Sequence, residues 1–130
     1  MSAVEVMDEV AQVFVVDDDE WIRDSLKLLL ESVGMKVETF ASTEDFAREY
    51  EPRQRSCLIL DQNLQGTRTG LDFLASVERG ALGLPVILVT GRGDEALRAA
   101  ALRVGAAAYI EKPFNDEQLI ATINAVIGAA

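Results

Sequence analysis

Apolar positions along the chain alternate between two spacings. VFVV at 13–16 is a short β-branched and aromatic run, the composition of a buried strand. From Trp21 onward Ile22, Leu26, Leu29, Leu30 and Val33 recur three and four residues apart until Gly34, which predicts a helix with a glycine stop. MKVETF at 35–40 alternates apolar and polar residues, a second strand. Ser42, with Asp45 three positions later, then resembles a capping box that opens a helix through about Tyr50. CLIL at 57–60 predicts the third strand, and a glycine-containing loop at 65–70 leads into a roughly helical pattern of Leu71, Phe73, Leu74 and Val77. PVILV at 85–89 predicts the fourth strand, followed by an alanine-rich helix from about Asp94 to Val104 that Gly105 ends. AAYI at 107–110 is a fifth, weaker strand, and Leu119, Ile120, Ile123, Val126 and Ile127 mark the last helix.

Five β/α units in series, with central strands apolar on both faces, predict a parallel sheet covered by helices on both sides and joined by right-handed crossovers. With 130 residues, 49% of them hydrophobic, the chain has material for a single core. Residues 1–11 read as a loosely ordered N-terminal tail and 12–130 as the domain. In an open sheet of this kind ligands bind outside the carboxyl ends of the strands. Four of the five predicted strands end there in a charged or reactive group: Asp17-Asp18-Asp19, Asp61, Thr90-Gly91 and Lys112-Pro113. Each has an ordinary explanation, since Asp18 or Asp19 could cap a helix, Thr90 could begin a turn and Lys112-Pro113 could be a solvated loop. Their joint placement on one rim is harder to explain that way.

Composition narrows the chemistry. Against 22 Asp and Glu stand 12 Lys and Arg, a formal net charge of −10 that opposes contact with nucleic acid phosphates or anionic membrane. The chain has no histidine, which removes the commonest neutral-pH base, the commonest zinc ligand and any histidine phosphoacceptor. Carboxylates, hydroxyls and lysine remain. The single cysteine, Cys57, lies inside an apolar run and reads as a small core residue, compatible with a reducing compartment. No apolar stretch reaches the roughly 18–20 residues of a membrane span, and the acidic N-terminus lacks the basic start of a signal peptide; the expected location is the cytoplasm. Asp17, Asp18 and Asp61 gathered in one pocket would repel, at 4 Å and an effective dielectric near 20 by on the order of 4 kcal/mol per pair. Such a cluster invites a divalent cation with a preference for oxygen ligands, Mg²⁺ foremost.

VVDDDE at 15–20, LILD at 58–61, VTGRGD at 89–94 and IEKPF at 110–114 together resemble the receiver domain of bacterial two-component response regulators, from about Val13 to Ile127. VTGRGD and EKPF look closest to regulators of the nitrogen-fixation and nitrogen-control type. The resemblance implies a flavodoxin-like, doubly wound (βα)5 fold with strand order 2-1-3-4-5. It makes Asp61 the phosphoacceptor, taking a phosphoryl group from the phosphohistidine of a sensor histidine kinase or a histidine phosphotransfer protein. It also implies Mg²⁺ (or Mn²⁺) held by Asp18, Asp61 and the backbone carbonyl of Asn63, with Asp17 acting through water. Lys112 and Thr90 would serve the phosphoryl oxygens, Thr90 and Tyr109 would form a switch, and Lys112-Pro113 would be a cis peptide. A signalling domain is implied rather than an enzyme, although it would catalyse its own phosphorylation and dephosphorylation. Its partners would be the phosphodonor and an output domain or protein, with no direct nucleic acid binding, no membrane, and room for a phosphorylation-dependent homodimer.

Departures from the pattern are confined to one loop. Leu64-Gln65 replace the usual Met-Pro pair and Gly70 lies one residue further on than expected, so loop 62–70 is expected to be rebuilt. Two other readings come from different classes. A phosphohydrolase of the haloacid-dehalogenase type also uses Asp and Mg²⁺, and Asp17-Asp18-Asp19 could mimic its DxD motif, but Trp21 stands where that family has Thr or Val and its late Asp pair does not occur. An interaction domain that keeps only the fold has no need of Asp17, Asp18, Asp61, Thr90 and Lys112 together.

Overall fold

A computed structural model describes residues 10–51, 54–64, 68–77 and 81–129. Strands β1 (Gln12–Val16), β2 (Lys36–Phe40), β3 (Ser56–Asp61), β4 (Val86–Thr90) and β5 (Ala108–Glu111) alternate with helices α1 (Glu20–Ser32), α2 (Thr43–Glu49), α3 (Gly70–Ser76), α4 (Glu95–Arg103) and α5 (Asp116–Ala129). All neighbouring strands are parallel, in the order β2-β1-β3-β4-β5. The expected doubly wound sheet is therefore present.

Two cores explain why the strands are apolar throughout. Successive strand side chains point to opposite faces, so Val13 and Val15 join Cys57, Ile59, Ile87 and Val89 beneath α1 and α5, whose Leu26, Leu30, Leu119 and Ile123 close that core. Phe14 and Val16 point the other way, with Leu58, Leu60 and Leu88, against Phe46 of α2, Phe73 of α3 and Ala101 of α4. Phe46 anchors the second core, stacked on Tyr50 at 4.3 Å and edge-on to Phe14, Phe40 and Phe73, geometries aromatic pairs favour. Burial raises the Cys57 thiol to about 12, which keeps it protonated and inert.

Element boundaries shift for local reasons. Strand β4 starts at Val86 rather than at Pro85, which lacks an N–H; the Pro85 carbonyl instead accepts from the Leu58 N–H at 2.9 Å. Asp19 caps α1, its side chain accepting from the Trp21 N–H at 2.9 Å. Ser42 caps α2 by accepting from the Asp45 N–H at 3.1 Å. A reciprocal capping box occurs at α3, between Thr69 and Asp72. Gly34 and Gly105 end their helices at φ 91° and 108°, the left-handed conformation that glycine tolerates. The helical stripe of α1 was expected to begin at Trp21, yet Trp21 is 80% exposed and Leu28 is 74% exposed. Its buried face is Leu26 and Leu30, flanked by Ile22 and Leu29. Of the expected tail, residues 1–9 lie outside the described residues, Val10 is exposed and Ala11 is buried in the core. Among the described residues no helix is long and apolar enough to cross a membrane.

Candidate functional site

The carboxyl ends of β1, β3, β4 and β5 converge on one rim. Where β1 ends, the Asp17 N–H donates to the Phe40 carbonyl at 3.1 Å, extending the ladder by one residue. The Asp17 carbonyl accepts from Arg23 Nη1 at 2.7 Å, and its carboxylate Oδ1 accepts from the Asp19 N–H at 2.9 Å. Asp17 is thus buried with its backbone and one carboxylate oxygen pinned, while Asp18, one residue later, is half-buried. Asp61 is the last residue of β3, faces Val89 of β4 in the register and is 5% exposed. The three aspartates bring one carboxylate oxygen each within 4.8 Å of one another.

Lys112 lies between two of them. Its Nζ is 3.3 Å from Asp61 Oδ1 and 3.5 Å from Asp17 Oδ2. The lysine is aimed from just past β5, where its N–H donates to the Thr90 carbonyl at 2.7 Å. The Lys112-Pro113 peptide is cis, as expected. Desolvation by burial raises the Asp61 pKa above the usual carboxylate value, and the negative charge of Asp17 adds to that. Lys112 and a hydrogen bond with the Asn63 backbone oppose the rise without cancelling it. Asn63 therefore meets the site through its backbone, with its side chain exposed.

Thr90 ends β4 completely buried, and its Oγ1 accepts from the Arg92 N–H at 3.1 Å. It begins a turn, as its ordinary reading allowed, and stands on the rim as well. A Cβ placed on the next residue, Gly91, would meet nothing within 4 Å apart from its chain neighbours. Tyr109 pairs with Leu88 in the sheet register and is only partly buried. Its hydroxyl lies 3.5 Å from Glu111 Oε2. Partial burial, and then the charges of Glu111 and Asp94, raise the Tyr109 pKa. A Cβ on Gly93 would run into that hydroxyl, so the outward seat of Tyr109 depends on glycine at 93.

The rim brings together Asp17, Asp18, Asp61, Lys112 and the backbone of Asn63, with Thr90 at the end of β4 and Tyr109 held away from it on the outer side. Sequence reasoning missed Arg23 and Gly93. Gly93 lay inside the quoted run VTGRGD, but its contact is with a residue 16 positions later and follows only from strand order. Within loop 62–70, residues 65–67, including Gln65, lie outside the described residues; Leu64 packs against the second core.

A pH dependence follows from the raised Asp61 pKa. Folding holds the proton on Asp61 more tightly than the unfolded chain does, so stability falls as pH rises from the usual carboxylate value through the folded one. In chelator, Asp61→Asn should therefore raise the urea midpoint at pH 7 and flatten its decline between the usual and the folded carboxylate values. Urea titrations of both proteins at several pH values measure this; a midpoint lowered at pH 7 by Asp61→Asn would contradict the electrostatic assignment.

The family model for the response regulator receiver domain matches residues 13–124. Transcriptional regulatory protein FixJ of Azorhizobium caulinodans is 38% identical over 122 residues, which cover 94% of this chain and 57% of that protein. Nodulation protein W of Bradyrhizobium diazoefficiens is 39% identical over 119 residues, covering 92% of this chain and 51% of that protein. The chain thus spans a little over half the length of these curated relatives. A CheY-like response regulator receiver domain protein from Methanospirillum hungatei JF-1 has the same fold, with a TM-score of 0.81 at 30% identity over 92% of this chain and 95% of that one. The resemblance stated from the four motifs is borne out, and the phosphohydrolase reading falls away: this chain belongs to the family of response regulator receiver domains.

Proposed function

We propose that Asp61 is the phosphoacceptor of this receiver domain, and that the phosphoryl group comes from the phosphohistidine of a cytoplasmic sensor histidine kinase or histidine phosphotransfer protein. The observation that carries the assignment is the shared ammonium. Lys112 reaches Asp61 at 3.3 Å and Asp17 at 3.5 Å beside a third carboxylate. Asp61 is the member of that set standing at the end of a central strand with Lys112 on one side and Thr90 on the neighbouring strand end.

In the transfer, a carboxylate oxygen of Asp61 forms the P–O bond as the P–N bond to the donor histidine breaks, and the electron pair of that bond returns to the imidazole nitrogen. Charge spreads over the phosphoryl oxygens, so the domain's part is positioning and electrostatic stabilisation. The Lys112 ammonium serves one oxygen and the Thr90 hydroxyl donates to another in the space beside Gly91. The oxygen-only donor set fits Mg²⁺ or Mn²⁺: Asp18, Asp61 and the Asn63 carbonyl would hold the ion, with Asp17 acting through water, and it would neutralise charge on acceptor and phosphoryl group. The same residues serve hydrolysis of the acyl phosphate.

Switching follows from the added charge, roughly −1.5 to −2 at neutral pH with new acceptor oxygens. Thr90 turns toward the phosphoryl group, and Tyr109 leaves its seat over Gly93 and turns inward into the space vacated. The surface of α4, β5 and α5 is thereby changed for an output domain or protein, or for a second copy of this chain.

Incubation with a small phosphodonor and Mg²⁺, read by intact mass, should add one phosphate to the wild type and none to Asp61→Asn; a full-strength adduct on the variant would sink the assignment. Thr90→Ala should still accept phosphate, slowed by up to about a hundredfold, the scale of losing one donor to a developing charge. Amide NMR with beryllofluoride should show shifts across 94–127 in the wild type that mostly vanish in Thr90→Ala. Equally large shifts in both proteins would remove Thr90 as the relay.

A further inference from the structure

The described ends of the loop that departs from the family pattern are fastened by hydrogen bonds. Gln62 follows Asp61 directly and continues the ladder, its N–H donating to the Val89 carbonyl at 2.8 Å. Its carbonyl accepts from the Gly70 N–H at 3.0 Å, and its side-chain Oε1 accepts from the Leu71 N–H at 2.8 Å. These are the first two N–H groups of α3, which have no partner within a helix. The next two are taken by Thr69, through its Oγ1 at 3.0 Å to Asp72 and its carbonyl at 3.0 Å to Phe73. One residue after the carboxylate therefore holds β4 and the start of α3 together, and Thr69 completes the same helix end from the far side of the loop.

Gly70 lets this happen at close range. A Cβ there would collide with the Asp61 carbonyl oxygen and press on Leu88, so α3 starts directly on the Asp61 backbone. Asn63, which meets the Asp61 carboxylate through its backbone, is the next residue out from this fastening. We infer that Gln62 is a positioning residue of the acidic site: by tying the loop to Leu71 it fixes the backbone of Asn63 relative to Asp61. The inference deepens the proposed reading of Asp61 and Asn63 and rests on it.

The test uses the intact chain and three variants. Gln62→Leu keeps the bulk and removes the acceptor, Gln62→Glu keeps an acceptor oxygen, and Thr69→Ala weakens the same helix end without touching the Gln62 link. Mg²⁺ affinity is measured by calorimetric titration, exchange of the Leu71 amide by NMR, and thermal stability alongside. Gln62→Leu should bind Mg²⁺ roughly three- to tenfold more weakly, the scale of one lost hydrogen bond, with faster exchange at Leu71. Gln62→Glu should keep both the affinity and the slow exchange, and Thr69→Ala should lower the melting temperature while leaving Mg²⁺ affinity unchanged. Wild-type affinity in Gln62→Leu, or an equal loss in Thr69→Ala, would overturn the inference alone. A wild type that binds no Mg²⁺ would instead overturn the reading of the acidic site, and this inference with it.

Discussion

The Lys112 ammonium, shared between Asp61 at 3.3 Å and Asp17 at 3.5 Å, ties together groups from the ends of β1, β3 and β5. Buried carboxylates without a partner cost several kcal/mol each, and removing one member of a buried pair leaves its partner uncompensated. Lys112 offsets only part of that cost: burial first, and then the Asp17 charge, keep the Asp61 pKa raised despite the cation beside it. Asp17, Asp18 and Asp61 gathered against Lys112 leave negative charge in excess at the strand ends, a setting that favours a cation.

Everything around this pair serves to hold it in place. The parallel register brings Asp61 opposite Val89 and Thr90 opposite Glu111, so Asp61, Thr90 and Lys112 step outward by one residue from strand to strand. Arg23 braces the Asp17 carbonyl from α1, and Gly70 lets α3 abut the Asp61 backbone. Farther out, Tyr109 rests over Gly93 with a carboxylate at its hydroxyl. Backbone and side-chain contacts thus seat the acidic site, while Tyr109 lies at its edge beside Asp94 and Glu95 at the start of α4.

Strands were legible in the sequence because burial on both faces leaves uninterrupted apolar runs, and the rim was legible because strand ends in a parallel sheet share one edge. Family motifs on that rim made the roles of Asp61, Thr90 and Lys112 readable as expectations. Contacts across sequence were not legible. Gln62 reaching Leu71 and Gly93 seating Tyr109 leave no periodic signal, since they depend on where a loop closes and which strands are neighbours. Trp21 misled for a related reason: an apolar residue at helical spacing carries no mark of whether a neighbour covers it, and here it is 80% exposed.

The charge imbalance is tested most directly by the urea unfolding midpoint as a function of Mg²⁺ concentration at pH 7, with ionic strength held constant by a monovalent salt. An ion bound only by the folded acidic cluster stabilises by RT ln(1 + [Mg²⁺]/Kd), about 2.7 kcal/mol at a hundred times Kd. The midpoint should therefore climb steadily in the wild type and stay flat in Asp18→Ala. A wild-type midpoint indifferent to Mg²⁺, or an equal climb in Asp18→Ala, would contradict the claim that these three carboxylates form one cation-seeking site.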